Sequence, residues 1–401
     1  MKTQKKRPLK QQLALLVVAI ILGVVGLKVA GWNPFSYVDI PVKGSNQKVY
    51  SSQAEAIFAG DLTAQKALAN QAIAAVQQNI DPATFKTGSD RYNAEWTIAT
   101  YQMTALGLSQ MAIAHPEVKA EYSPIIEKCL ENLLKPETVA FATEAWGENG
   151  LSVFSSNKGH AYLGYTNLAL SMYRRVNPNN RFARINDQLT EAFSRRLAQA
   201  SHGMIETYPH ETYPPDVAAV IGSIGLHDRA TGEDHRKVLT KSLQAFREQL
   251  IDPKSGMLYQ SADAHSGTIH DKGRASGTTI SVYFLSFADP ELSGRLFKAI
   301  ATTQRSNVAG FTGIREYPLG QDGLGDVDSG PLIMGLSPTA SVFALSGARL
   351  TGNQDLFQAL YRSLDVFGSF SDNKNSVASQ LGGPLGKALL LAMVTAQNTS
   401  P

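Results

Sequence analysis

Acidic and aromatic residues crowd into two short stretches of the 401-residue chain, in combinations suited to carbohydrate chemistry. In GMIETYPHETYPPDVAA, Glu206, Tyr208, His210, Glu211, Tyr213 and Asp216 fall within eleven residues. Rings can lie against sugars, and carboxylates can bind hydroxyls or move protons. In GQDGLGDVDSGPLIMG, Asp322, Asp326 and Asp328 accompany four glycines between Gly320 and Gly330. We expect an acidic loop there whose carboxyl pKa values are lowered by nearby helix N-termini. Asp216, Asp326 and Asp328 are the expected catalytic carboxylates, Asp216 pairing with Asp326 or Asp328. Tyr208, His210, Glu211 and Tyr213 are expected to position substrate.

Each stretch also has a plainer reading. Asp216 beside Pro214-Pro215 suits the first turn of a helix, and Ser329 or Asp328 could cap a helix starting near Pro331. The Asp326-x-Asp328-x-Gly330 spacing partly fits a calcium loop, but its twelfth position is Ser337 rather than Glu. A third polar segment, SADAHSGTIHDKGRASG, offers Asp263, His265, His270, Asp271 and Arg274, which could bind a metal or an anionic group or simply be solvated. Glu95, Trp96, His160 and Tyr162 stand at expected helix starts and join Arg274 as binding candidates. Arg315-Glu316-Tyr317 could line the same rim.

Other chemistries lack their signatures. No G-x-S-x-G elbow, Walker loop or dinucleotide-binding glycine motif occurs, and His210-Glu211 lacks the second histidine of a zincin. No cofactor and no metal site is expected. The lone Cys129, within the apolar pattern IIEKCLENLL, reads as a core residue.

Two kinds of helix must position these residues. HAYLGYTNLALSMYRR and SGTTISVYFLSF are small and apolar on all sides, as a helix buried all round must be. RINDQLTEAFSRRLAQA and DHRKVLTKSLQAFREQL are amphipathic, with one wet face. The kinds alternate, separated by Pro or Gly turns such as Asn177-Pro178, Thr231-Gly232 and Asp289-Pro290. Amphipathic outer helices are expected near 63–80, 119–135, 181–200, 234–250, 290–304 and 354–369. Inner partners are expected near 94–114, 157–176, 215–230, 275–288, 329–350 and 381–397. Six pairs repeating about every 57 residues describe an all-α, closed double-walled toroid. Its long outer-to-inner connections open at the N-terminal ends of the inner helices. Gly203-Met204-Ile205, Gly256-Met257-Leu258 and Gly310-Phe311-Thr312 suggest short strands on that rim.

This pattern resembles the (α/α)6-toroid, six-hairpin glycosidase-like superfamily across residues 53–401. The resemblance implies an active site at that mouth, acting as a glycoside hydrolase or polysaccharide lyase; Tyr208 or His210 would be the base of a lyase. The segment Trp146–Tyr165 resembles linalool dehydratase-isomerase-type members, whose catalytic cysteines have no counterpart here. Two further readings are a non-catalytic glycan- or partner-binding toroid of an envelope assembly, and a lyase or isomerase of small hydrophobic alcohols.

Residues 1–12 hold five basic residues and no acid, and Leu13–Trp32 is a twenty-residue run with one charge, Lys28. Such a run rises about 30 Å as a helix and spans a bilayer. By the positive-inside rule the basic tail 1–12 stays cytoplasmic, 13–32 anchors, 33–52 links, and 53–401 lies outside the cytoplasm, in the periplasm. The overall charge of +3 belongs to the anchor. Beyond residue 30 there are 31 basic against 34 acidic residues, so no nucleic-acid surface is expected. The expected partners are a carbohydrate or other small-molecule ligand, the membrane, and an envelope protein.

Overall fold

The computed structural model describes residues 47–152, 156–308, 310–321, 323–369 and 383–397. The expected tail, anchor and most of the linker, together with Asp322, lie outside the described residues. Among the described residues no helix is long and apolar enough to cross a membrane.

The outer helices are α2 (Leu62–Val76), α4 (Lys119–Leu133), α7 (Ala183–Gln199), α9 (Arg236–Ala245, extended by a wide turn Phe246–Leu250), α11 (Pro290–Thr303) and α13 (Gln354–Ser369). Their inner partners are α3 (Asp90–Ala114), α6 (Leu163–Val176), α8 (Pro214–Thr231), α10 (Ala275–Leu285), α12 (Pro338–Leu350) and α14 (Pro384–Val394). A leading helix, α1 (Gln47–Ala59), packs on α2 and α13, and a short α5 (Ala140–Trp146) lies in the connection from α4 to α6.

Local chemistry sets the boundaries. Asp289 caps α11 by accepting from the Leu292 amide at 2.9 Å, with Pro290 in the first turn. Gly232, at φ +82°, ends α8. The outer helix α7 buries Asn186, Leu189, Thr190, Phe193 and Leu197, one stripe at helical spacing. The inner helix α10 buries all eleven of its residues. Three of its hydroxyls are satisfied along the helix: Thr278, Thr279 and Ser281 each donate to the carbonyl four residues back, at 2.6–2.7 Å.

The inner helices form a closed ring. Each packs on the next, in the order α3, α6, α8, α10, α12, α14, and α14 returns to α3. Close approach needs small residues at the contacts. A Cβ on Gly164 of α6 would lie 2.6 Å from a Val220 methyl of α8, and one on Gly222 of α8 would lie 2.2 Å from the Phe284 carbonyl oxygen of α10. One cross-ring contact seals the interior: the buried Tyr283 hydroxyl of α10 donates to Gln110 Oε1 of α3 at 2.9 Å. The Gln110 amide in turn donates to Thr395 and the Ala392 carbonyl at the end of α14.

Two expectations need correction. The fifth inner helix starts at Pro338, not near 329, and its cap is Ser337, whose Oγ accepts from the Ala340 amide at 3.0 Å. Positive φ at Gly330, Met334 and Gly335 is incompatible with helix, so residues 329–337 run as loop and strand. The rim does carry a little sheet, ordered β1 (Arg305–Val308), β2 (Phe311–Arg315), β3 (Leu336–Ser337). Strands β2 and β3 are antiparallel, with Ile314 opposite Ser337. The Gly256 segment contributes an isolated bridge, Ile251 to Leu258, but Gly203–Ile205 forms none. Cys129 is fully buried on α4, and burial pushes its thiol up to about 12.

Because the ring tolerates no extra volume, Gly222→Ala should destabilise the domain by about 1–3 kcal/mol, an overpacking cost. Thermal unfolding monitored by circular dichroism measures this, and an unchanged Tm contradicts the close packing of α8 on α10.

Candidate active site

All six inner helices begin at one cavity of about 280 Å³. Its walls include Arg91, Glu95 and Trp96 from α3, Tyr165 from α6, Asp216 from α8, Ser276 from α10, Thr339 and Phe343 from α12, and Leu389 from α14. The loop before α12 adds Val327, Asp328 and Pro331.

Asp216 sits in the first turn of α8, as the plainer reading had it, but its carboxylate faces the cavity. It accepts from the Tyr165 hydroxyl at 2.7 Å and the Thr207 hydroxyl at 2.8 Å. Asp328 accepts from the Gln260 amide at 3.1 Å. Both carboxyls are reachable from the cavity: Asp216 is half-buried, whereas Asp328 is exposed as a residue and only its carboxyl is crowded by protein. Burial therefore raises Asp216 to about 6, against the donors that favour its ionised form. Burial likewise raises Asp328 to about 7, helped by the negative charge of Asp326. Glu95 is also raised by burial, although it accepts from Tyr208 at 2.7 Å and from Arg91 at 3.1 Å. The lowering expected for the acidic loop is overturned at Asp328, where desolvation of the carboxyl outweighs any helix dipole.

Other acids are tied to arginines. Asp326 receives the Arg274 guanidinium, with Nη2 to Oδ1 at 2.7 Å, and also accepts the Ser329 and Asp328 amides. Arg274, only 4% exposed, also donates to the fully buried Glu316 at 2.9 Å. Despite burial, the contacts with Arg274 and Ser329 hold Asp326 below the usual range. An aspartate so engaged is poorly placed to serve a cation, which removes the calcium-loop reading. Arg91 grips Glu211 at 2.8 Å and holds it low, and Tyr213 donates to the same carboxylate at 2.9 Å.

The aromatic wall has a defined order. Tyr208 is stacked on Tyr162 with ring centroids 5.8 Å apart, and the Arg91 guanidinium lies 3.6 Å from the Tyr208 centroid. With a ring and a guanidinium packed on it, Tyr208 offers little face to a ligand. Trp96, Tyr162, Tyr208 and Tyr213 all line the cavity.

Several candidates lie outside the lining. His160 is buried behind the wall, 2.6 Å from Glu148 and 3.1 Å from the Tyr162 hydroxyl. His210 occupies an exposed two-residue turn after Pro209, with φ +65° between the paired Tyr208 and Glu211. Asp263 accepts the His265 and Ser266 amides within its own turn, and His270 and Asp271 are exposed. Glu316 is buried under Ser276, whose hydroxyl donates to it at 2.6 Å.

Sequence reasoning missed Arg91, Tyr165, Thr207 and Gln260. Arg91 and Glu95 are an i, i+4 ion pair at the head of an inner helix, a signal that was available. Thr207 and Gln260 carried none. One group of histidines and a carboxylate outside the cavity, His227, Asp228 and His235, is close enough to share a cation.

No family model matches the chain, and no curated protein matches it. Solved structures do. The GH76A α-1,6-mannanase from Salegentibacter sp. HEL1_6 is 12% identical, with 85% of this chain and 98% of that one covered at a TM-score of 0.50. An inactive variant of that enzyme, with two aspartates changed to asparagine and in complex with α-1,6-mannotriose, is 12% identical over 86% of this chain and 99% of that one, at 0.51. An unsaturated glucuronyl hydrolase specific for heparin is 10% identical over 86% of this chain and 96% of that one, at 0.51. The fold is that of the six-hairpin glycosidases. The likeness of Trp146–Tyr165 to linalool dehydratase-isomerase gains no support from these structures.

The raised carboxyls have a stability consequence. Between its ordinary value of 3.8 and about 7, folded Asp328 keeps a proton that the unfolded chain has released, so stability falls as pH rises through that window. Asp328→Asn removes this penalty. Its Tm relative to the native chain should therefore rise from pH 4 to pH 8; a pH-independent difference contradicts the raised, proton-holding carboxyl.

Proposed function

We propose that this chain is a membrane-anchored, extracytoplasmic glycoside hydrolase whose working carboxyls are Asp216 and Asp328. The observation that carries the reading is the pair itself: two aspartates lining one cavity, from different elements, neither held by an arginine. Up to about pH 7, Asp328 holds a proton and serves as general acid to the glycosidic oxygen. Asp216 ionises first, because the Tyr165 and Thr207 hydroxyls stabilise its anion, and acts as base or nucleophile. Glu95 binds sugar hydroxyls, and Trp96 and Tyr213 present ring surface to a pyranose. Asp326 takes a supporting part, fixing the loop that carries Asp328 through its amide.

A lyase is less well served. Burial and the neighbouring Glu95 hold Tyr208 well above its usual range, so it gives up its proton reluctantly, and His210 lies on an exposed turn. The solved neighbours named above act on carbohydrates by their own descriptions, which supports the substrate class. The apolar run Leu13–Trp32 supports the anchor.

The test is hydrolysis of a panel of α-mannan and glucuronide oligosaccharides, read as reducing ends. Asp216→Asn and Asp328→Asn should each lower kcat by about 10²–10⁴-fold with the fold intact. The rate should rise with pH as Asp216 ionises near 6 and fall as Asp328 ionises near 7, the two limbs belonging to the coupled pair. Turnover retained in both variants removes the assignment. Sugar binding without turnover, unaffected by either change, favours a glycan-binding toroid instead.

A further inference from the structure

At the far end of α8 from the cavity, about 16 Å along the helix from Asp216, lies a second polar group that the hydrolase reading does not use. His227 and Asp228 are in the last turn of α8, and His235 is the residue preceding α9. His227 is fully buried. Its Nε2 faces Asp187 Oδ1 of α7 at 2.9 Å, a carboxylate also held by Arg174 at 3.1 Å. With a carboxylate at Nε2, the ring keeps a hydrogen there, and Nδ1 is the atom left to carry a second proton or to bind a cation. That Nδ1 is buried and has no hydrogen-bond partner. Asp228 Oδ1 lies 3.9 Å from it and, on its other side, 2.6 Å from His235 Nδ1. The Asp228 carboxylate is fixed by the His235 amide, which donates to Oδ2 at 2.8 Å.

Two imidazole nitrogens and one carboxylate oxygen therefore gather within 4.8 Å of one another. A buried ring nitrogen opposite a carboxylate oxygen needs a positive charge between them. We propose that His227 Nδ1, Asp228 and His235 Nδ1 bind a divalent transition cation of the zinc class, with Asp187 as the outer carboxylate that orients His227. Ligands on one tetrahedral zinc stand roughly 3.3 Å apart, given bonds of about 2.0–2.1 Å, midway between the two separations seen here. The carboxylate–histidine pairing of Asp187 and His227 is the usual support of a metal-bound imidazole. Asp228 and His235 are half-buried, which leaves the solvent side for a water in the fourth position. The cation joins the end of an inner helix to the start of the next outer one, pinning the turn between the third and fourth hairpins. The pattern His-Asp-x6-His is not a compact metal motif, and only the folding back of the chain at Gly232 brings its ends together.

The test uses the full chain without a histidine tag, stripped by chelator, then titrated with Zn²⁺ by calorimetry and with Co²⁺ by visible absorption. One equivalent should bind, produce a cobalt d–d band and raise Tm. His235→Ala and Asp228→Asn should abolish both the band and the Tm rise, with circular dichroism confirming the fold. Asp187→Asn should weaken binding about 10–100-fold while keeping the stoichiometry. His210→Ala, on the exposed rim turn, should change nothing. No stoichiometric binding by the native chain, or binding unaffected by His235→Ala and Asp228→Asn, overturns the proposal; His227 is then satisfied by a second proton.

Discussion

Closure of the inner ring governs everything else in this molecule. A helix packed on both flanks and backed by an outer helix has almost no face left for water, which is why α10 buries every residue and why glycines such as Gly164 and Gly222 sit at the contacts. Ring closure also leaves a lumen that must be filled or made useful. Tyr283 reaching across to Gln110 fills part of it. At the other end the six helix starts cannot meet, and the residual space is the cavity. The same geometry that shields the core desolvates acids carried on those helix starts, so the raised pKa values of Asp216 and Glu95 follow from the architecture, whereas Asp328, on the loop before α12, owes part of its rise to the neighbouring charge of Asp326.

Much of that architecture is legible in the sequence because the two helix kinds differ on every face. The alternation of apolar and amphipathic segments is a composition signal repeated six times, and Pro and Gly turns punctuate it. The failure at the fifth inner helix is instructive. Ser329-Gly330-Pro331 and Leu336-Ser337-Pro338 are both fair starts, and only the left-handed residues between them decide for the second. At the site, sequence places Asp216 and Asp328 on helix approaches but cannot separate Asp328 from Asp326, two residues away. The difference is made by Arg274, fifty-two residues upstream of Asp326, which reaches one and not the other. Tyr165, Thr207 and Gln260 escape notice for the same reason: each matters through a partner distant in the chain.

The decisive selection at the mouth is therefore made by arginines. A toroid of this kind collects acids because helix N-termini welcome negative charge, and an acid there is not by itself reactive. Arg91 and Arg274 each bind two carboxylates: Glu95 with Glu211, and Glu316 with Asp326. Glu211 and Asp326, so bound, are held low and are spent as structure. Glu95 is the exception, since burial outweighs its share of Arg91 and leaves it raised. Asp216 and Asp328 instead receive hydroxyl and amide donors, which orient a carboxyl without fixing its charge. A neutral donor lets a carboxyl gain or lose a proton at modest cost, whereas a guanidinium opposes protonation at any ordinary pH. That distribution of cations, more than the positions of the acids, separates a carboxyl free to exchange its proton from one held as an anion.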